Sequence, residues 1–163
     1  MSVHTLTRQQ ELEGSPAEVF PFFADATNLE AITPPLLAFQ VTTPRPIAMH
    51  AGTLIEYRLK IHHLPIRWRT LIEEWRPSEM FVDTQIKGPY KLWHHTHTFD
   101  PLPGGRTLMV DVVRYSIGYG PLGDLAHSLF VGRDVASIFD YRAEVIAPLL
   151  ASDIERRRSD GSR

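Results

Sequence analysis

The stretch LGDLAHSLFVGRDVASIFDYRAEVIA, Leu122–Ala147, decides the fold of this chain. In it and just beyond, Leu125, Leu129, Gly132, Ala136, Phe139, Ala143, Ile146 and Leu150 recur at three- and four-residue steps, the period of a helix with one apolar face. Val135, Ile138, Arg142, Val145 and Leu149 widen that stripe. As one helix the stretch would be about 39 Å long, against a radius of gyration of roughly 15 Å for a domain of this size. Only a helix lying across the whole domain fits. Pro148 is expected to kink or end it, and residues 151–163 read as a polar, disordered tail.

Upstream of the helix the period is two. Gly52–His62 alternates Ile55, Tyr57, Leu59 and Ile61 against Glu56, Arg58, Lys60 and His62. Ile66–Trp75 opposes Trp68, Thr70 and Ile72 to Arg67, Arg69 and Glu73, with Pro65 as a separator. Met80–Lys87, Tyr90–Asp100 and Arg106–Ile117 follow, each bounded by Pro- or Gly-containing turns. A short strand, Ala38–Thr43, and a first strand over residues 3–12 complete the set. Turns this short imply antiparallel pairing, because parallel strands need long crossovers. Between the first two strands, Ser15-Pro16-Ala17-Glu18 is a capping box with proline at the first helical position. Thr27-Asn28-Leu29-Glu30 repeats the pattern, and Pro34-Pro35 stops what starts there. Residues 1–150 therefore read as one α+β domain, a curved antiparallel sheet wrapped around a long C-terminal helix with two short helices after strand 1. A sheet that curls around one helix leaves space for a ligand between them.

Composition excludes several classes. The chain has 163 residues, 43% of them hydrophobic and 22% charged, enough for a core in a single domain. With no cysteine it can build no disulfide, thiolate metal site or cysteine nucleophile. A net charge of −2 gives no general attraction to nucleic acid. No apolar run reaches the roughly 20 residues that span a bilayer, and Met1-Ser2-Val3-His4-Thr5 lacks the features of a signal peptide. The expectation is a cytoplasmic protein without stable membrane insertion. Open edge strands would allow a homodimer.

Several phrases together carry a resemblance: Ser15-Pro16-Ala17-Glu18-Val19-Phe20, Asn28-Leu29-Glu30-Ala31-Ile32-Thr33-Pro34-Pro35, Gly52-Thr53-Leu54-Ile55-Glu56-Tyr57, Trp68-Arg69-Thr70, Gly88-Pro89-Tyr90 and Trp93-His94-His95-Thr96-His97-Thr98-Phe99. Over residues 3–150 the chain resembles the START-like (SRPBCC) superfamily of helix-grip proteins, which includes polyketide cyclases, birch-pollen-allergen-like proteins and lipid-transfer domains, and within it an uncharacterised bacterial subfamily. The resemblance implies a hydrophobic cavity between sheet and helix, in members that range from carriers to cyclases. Fold alone does not choose between these.

Three of the eight histidines lie in His94-His95-Thr96-His97. On a strand, His95 and His97 share a face with Trp93 and Phe99, while His94 faces the other way. Neighbouring strands can bring Asp83 and Gln85, and Asp111 and Tyr115, to that face. His95 or His97 with Asp83 or Asp111 would then form an acid/base pair, a histidine oriented by a carboxylate. The commoner role of such residues is a buried network that holds the sheet and does no chemistry. Two histidines at i and i+2 plus a carboxylate would also suit zinc or iron, yet spacing fixes no third ligand, and the expectation is no metal and no cofactor. Tyr57, Trp68, Gln85, Trp93, Phe99, Tyr115 and Phe139 are the candidate ligand contacts. Arg133 and Arg142 could anchor an anionic group, although such side chains usually snorkel to solvent.

Gly118-Tyr119-Gly120-Pro121-Leu122-Gly123 matches a dinucleotide fingerprint literally. The parallel strand and acidic residue that this fingerprint requires are missing, so it reads as a flexible lead into the helix. Ser128 and Ser137 lack the strained turn of a nucleophile elbow. His62-His63 reads as an exposed turn. The leading expectation is a protein that binds a small hydrophobic or aromatic molecule, lipid- or polyketide-like. The alternatives are a cyclase/dehydratase-type enzyme and a regulatory module whose cavity is vestigial.

Overall fold

The computed structural model describes residues 2–118, 120–126 and 130–161, without the side chain of Asp124. Tyr119, Ser128 and Leu129 lie outside the described residues. Seven strands form one antiparallel sheet: β1 (His4–Glu13), β2 (Gln40–Val41), β3 (Leu54–Ile61), β4 (Leu64–Arg76), β5 (Met80–Lys87), β6 (Leu92–Leu102) and β7 (Arg106–Ser116). Their order is β1-β7-β6-β5-β4-β3-β2, so every neighbour except the closing β1–β7 pair is also a neighbour in sequence. This is the antiparallel meander expected from the two-residue period and short turns, with β1 and β2 as its edges.

Two short helices, α1 (Pro16–Ala24) and α2 (Asn28–Ala31), link β1 to β2 through a 3₁₀ turn at Pro35–Leu37. At the start of α1, the Glu18 carboxylate accepts hydrogen bonds from the Ser15 backbone N–H and hydroxyl, at 3.0 and 3.1 Å. The second capping box does not form. Thr27 instead donates its backbone N–H and hydroxyl to Asp25, and Glu30 accepts the Val41 N–H, fastening β2 to α2. Pro65 does not interrupt the chain as expected. It lies inside β4, opposite Lys60, while the reversal is made by His62 and His63, both at positive φ.

α3 (Gly120–Ala126) is followed by α4 (Gly132–Asp160), and Pro148 sits inside α4 without ending it. Residues 151–160 are thus helical, where the sequence reads as a disordered tail. The physical reason lies in the packing. Ile146, Leu150 and Ile154 recur at four-residue steps and are all buried against the α1 end of the core. Burying a Leu or Ile side chain contributes about 1.5–3 kcal/mol, so two further anchors offset the roughly 3 kcal/mol cost of an interior proline. Arg157 then donates to the Glu18 carbonyl at 2.6 Å, and Arg158 pairs with the Glu18 carboxylate.

α4 lies over the concave face of the sheet. Gln10 donates to the Ala143 carbonyl at 2.8 Å, and Arg8 pairs with Asp140 at 3.1 Å, tying β1 to the helix. At one end Phe20 meets Trp75, Phe81 and Phe99 edge-on, with ring centroids 5.1–6.1 Å apart. At the other, Val135 and Phe139 of α4 pack on Val113 and Tyr115 of β7. Between these two apolar cores the helix and sheet stand apart. Among the described residues no helix is long and apolar enough to cross a membrane.

Candidate ligand cavity and its histidine–aspartate cluster

The space between the two cores is a cavity of about 720 Å³. Of the candidate contacts, Tyr57, Trp68, Trp93 and Phe139 line it, and α1, α2 and the 3₁₀ turn contribute Phe23, Leu29 and Leu37. Trp68 stands edge-on to Trp93 with centroids 5.3 Å apart, and stacks against Tyr57 at 5.9 Å. Polar ends of these rings are satisfied locally: the Trp68 indole N–H donates to Thr70 Oγ1 at 3.1 Å, and the Tyr57 hydroxyl is hydrogen-bonded to the same oxygen. A cavity this large is well above the roughly 300 Å³ at which drug-sized ligands fit. Aromatic side chains do not fill it, so the vestigial-cavity alternative does not describe this molecule.

The other three candidate contacts lie elsewhere. Gln85 donates to the Tyr90 carbonyl at 2.7 Å and accepts its N–H at 3.2 Å, closing the β5–β6 turn. That turn captures its amide because the two strands part beyond the Thr84–His94 pair. Phe99 is enclosed by Phe20, Phe23 and Phe81 in the core beside the cavity. Tyr115 packs on His4, Tyr90 and Trp93, which screen it from the space.

The histidines and aspartates do come together. His95 and His97 point inward from β6 and are each 3% exposed. Cross-strand register puts Asp83 of β5 opposite His95, and Asp111 of β7 opposite His97. His97 Nε2 lies 2.8 Å from Asp83 Oδ2, and His95 Nε2 lies 2.8 Å from Asp111 Oδ1. The second nitrogens complete a box. His97 Nδ1 is 2.9 Å from Asp111 Oδ1, off the axis of a good hydrogen bond, and His95 Nδ1 is 3.5 Å from Asp83 Oδ2. The two imidazoles lie side by side, centroids 3.7 Å apart, with His97 also stacked on Phe81 at 4.0 Å. Asp83, His95 and His97 line the cavity, whereas Asp111 stands behind them.

Electrostatics divide the two histidines. Burial pushes both imidazoles down. For His97, the Asp111 and Asp83 carboxylates beside it outweigh burial and raise its pKa above the ordinary value. For His95, burial and the neighbouring His97 charge together outweigh the carboxylates, and its pKa falls. Burial likewise pushes the Asp111 carboxyl up, but the His95 hydrogen bond and the His97 imidazole beside it hold it well below the usual range. Asp83 is lowered for similar reasons, with the His95 and His97 charges overcoming burial.

Arg142 does not snorkel. It is 9% exposed, lines the cavity, and holds its guanidinium carbon 5.1 Å from the Phe139 ring centroid. Its Nε has no hydrogen-bond partner among the described residues. The signal for this is its place in the apolar stripe of α4, one turn from Phe139 and Ile146. His62 is exposed in its turn, yet its Nε2 lies 2.8 Å from Asp134 Oδ2 and bridges the β3–β4 turn to α4 at the cavity rim.

A family model described as polyketide cyclase / dehydrase and lipid transport matches residues 3–150. Among solved structures, the chain is similar to the Zhui aromatase/cyclase of Streptomyces sp. R1128, with a TM-score of 0.73, 13% identity, and 98% of this chain and 99% of that one covered. It is also similar to TTHA0849 of Thermus thermophilus, with a TM-score of 0.67, 16% identity, and 94% and 99% covered. A START superfamily protein of Mycobacterium smegmatis superposes with a TM-score of 0.65 at 12% identity, with 90% and 99% covered. At such identities the likeness shows the fold. No curated protein matches the chain in sequence.

Proposed function

The chain belongs to the polyketide cyclase / dehydrase and lipid transport family, and we propose that it binds one small hydrophobic or aromatic molecule between the sheet and α4. The observation that carries this reading is the 720 Å³ cavity walled by Tyr57, Trp68, Trp93 and Phe139. Flat rings gain from offset or edge-on contact with such walls beyond the area they bury. The polar patch of Asp83, His95, His97 and Arg142 gives the occupant an orientation: apolar body along the aromatic wall, an oxygen function toward the patch. Equilibrium titration with 2-naphthol tests it. Saturable binding at one equivalent is expected, weakened by Leu59→Trp, which fills part of the cavity from β3. Binding that Leu59→Trp leaves untouched would place the probe elsewhere and end the reading.

A reaction on the occupant is the second reading, favoured by one observation: His95, His97 and Asp83 line the cavity, with Asp111 behind them as the partner of His95. A cyclase/dehydratase would use a histidine there to move a proton on a ligand carbon or oxygen while its carboxylate fixes the ring's orientation. Under this reading His97→Gln abolishes turnover of a polyketide-like substrate and leaves 2-naphthol affinity within about threefold, a difference of less than 1 kcal/mol.

A further inference from the structure

We propose that Asp83, His95 and His97 form a binding site for one divalent transition-metal cation of the zinc class, with its open coordination position on the cavity side. This departs from the sequence expectation of no metal, and it goes beyond ligand binding because the cation would bind whether or not the cavity is filled. Two imidazoles and a carboxylate are a donor set that such cations use when they keep a position free for another ligand. One donor atom from each of the three residues lies within 4.8 Å of the others. Asp83 Oδ2 is the common point, 2.8 Å from His97 Nε2 and 3.5 Å from His95 Nδ1. The 3.5 Å separation is longer than an ordinary hydrogen bond, which leaves room between His95 Nδ1 and the carboxylate.

The outer side of the cluster argues more strongly than the inner one. Metal-bound histidines nearly always donate their other ring N–H to a carboxylate, a backbone carbonyl or water, which fixes the ring and raises its basicity. Here both outer nitrogens converge on one atom, Asp111 Oδ1, at 2.8 Å from His95 Nε2 and 2.9 Å from His97 Nδ1. The donors are also rigid, since His95 and His97 alternate on one strand and Asp83 is the register partner of His95. With neutral imidazoles, Asp83 and Asp111 balance a dication, and Arg142 in the same wall leaves one positive charge in surplus. The open position therefore suits an anionic or strongly polarised oxygen, such as an enolate, phenolate or carboxylate. That clause alone rests on the ligand reading above.

The test uses the full chain without affinity-tag histidines, treated with chelator and then titrated with Co²⁺ as the only added metal, followed by visible absorption and calorimetry. One equivalent is expected to bind with the absorption of protein-bound cobalt. Asp83→Asn and His97→Gln should lose the stoichiometric step, and Asp111→Asn should weaken it about 10–100-fold. The double variant His62→Ala/His63→Ala, at the exposed turn, should keep it. Near-UV circular dichroism of each variant separates loss of metal from loss of fold, and a rise in the wild-type unfolding midpoint with Co²⁺ needs no variant. Absence of saturable uptake by the wild type overturns the proposal, and so does uptake that survives His97→Gln but vanishes with the turn double variant. Binding of 2-naphthol by the metal-free protein, measured on the same preparation, reports on the ligand reading separately.

Discussion

Asp111 Oδ1 lies 2.8 Å from Nε2 of His95, on the neighbouring strand and one pleat away from its own register partner, His97. That diagonal contact turns two cross-strand pairs into one four-residue cluster. It also buries a carboxylate behind the cavity wall, where the His95 hydrogen bond and the His97 ring replace water around it.

Removing one member of such a buried cluster leaves the others uncompensated. Breaking a buried ion pair from one side costs about 3–5 kcal/mol. Asp111→Ala is therefore expected to lower the free energy of unfolding by roughly that amount in urea denaturation. A loss under about 1 kcal/mol would mean that the cluster carries little charge in the folded state.

Arg142 separates ligand classes. A hydrogen bond to a charged group contributes about 1.5–3 kcal/mol, so Arg142→Met is expected to weaken 2-naphthoate roughly 10–100-fold while 2-naphthalenemethanol changes little. Equal losses for the two probes, read by calorimetry, would show that Arg142 acts through packing and not through charge.

The far end of α4 is structural. Ile154 is 8% exposed, and a Cβ added at Gly14, which has a φ of +108°, would stand 3.1 Å from its Cδ1. Ile154→Ala should destabilise by about 2 kcal/mol, the lower end for buried aliphatic truncation. Hydrogen exchange of residues 151–160 should accelerate with it, and unchanged protection there would contradict this packing.

Glu18 makes that end sensitive to acid. Its pKa is lowered from 4.5 to about 2 by the hydrogen bond from Arg158, then by those from the Ser15 backbone and hydroxyl. A carboxyl lowered on folding stabilises the fold above its unfolded value and loses that contribution as pH falls from about 4.5 toward 2. Hydrogen exchange at residues 151–160 should therefore rise across that window in the wild type. In Glu18→Gln it should be raised already at neutral pH and nearly flat across the window. Parallel profiles for the two proteins would show that Glu18 does not hold this end of α4. The pair is partly exposed, so the effect is small and local.

Much of this is legible because a strand has a period of two. Alternation alone sends Ile55, Tyr57 and Leu59 of β3, and His95 and His97 of β6, to the concave face, and short turns force antiparallel neighbours. Register is different. Asp83 and Asp111 can be named as partners, but nothing local says which residue sits opposite which, and Gln85, one pleat from Asp83, ends in a turn. The misjudged residues share one cause, tertiary contacts that override a local rule. Arg142 stays inside because the Phe139 ring lies under its guanidinium and Asp83 stands in the same cavity wall. Pro148 stays inside a helix because Leu150 and Ile154 have a core to reach.

Where a ligand goes is the central claim, and the three tryptophans report it directly. Trp68 and Trp93 line the cavity, while Trp75 is packed between the two apolar clusters beside it. In ¹⁵N-correlated NMR spectra titrated with 2-naphthol, the indole N–H signals of Trp68 and Trp93 should shift together and saturate at one equivalent, with Trp75 nearly still. Saturable binding that moves neither Trp68 nor Trp93 would contradict a ligand site between the sheet and α4.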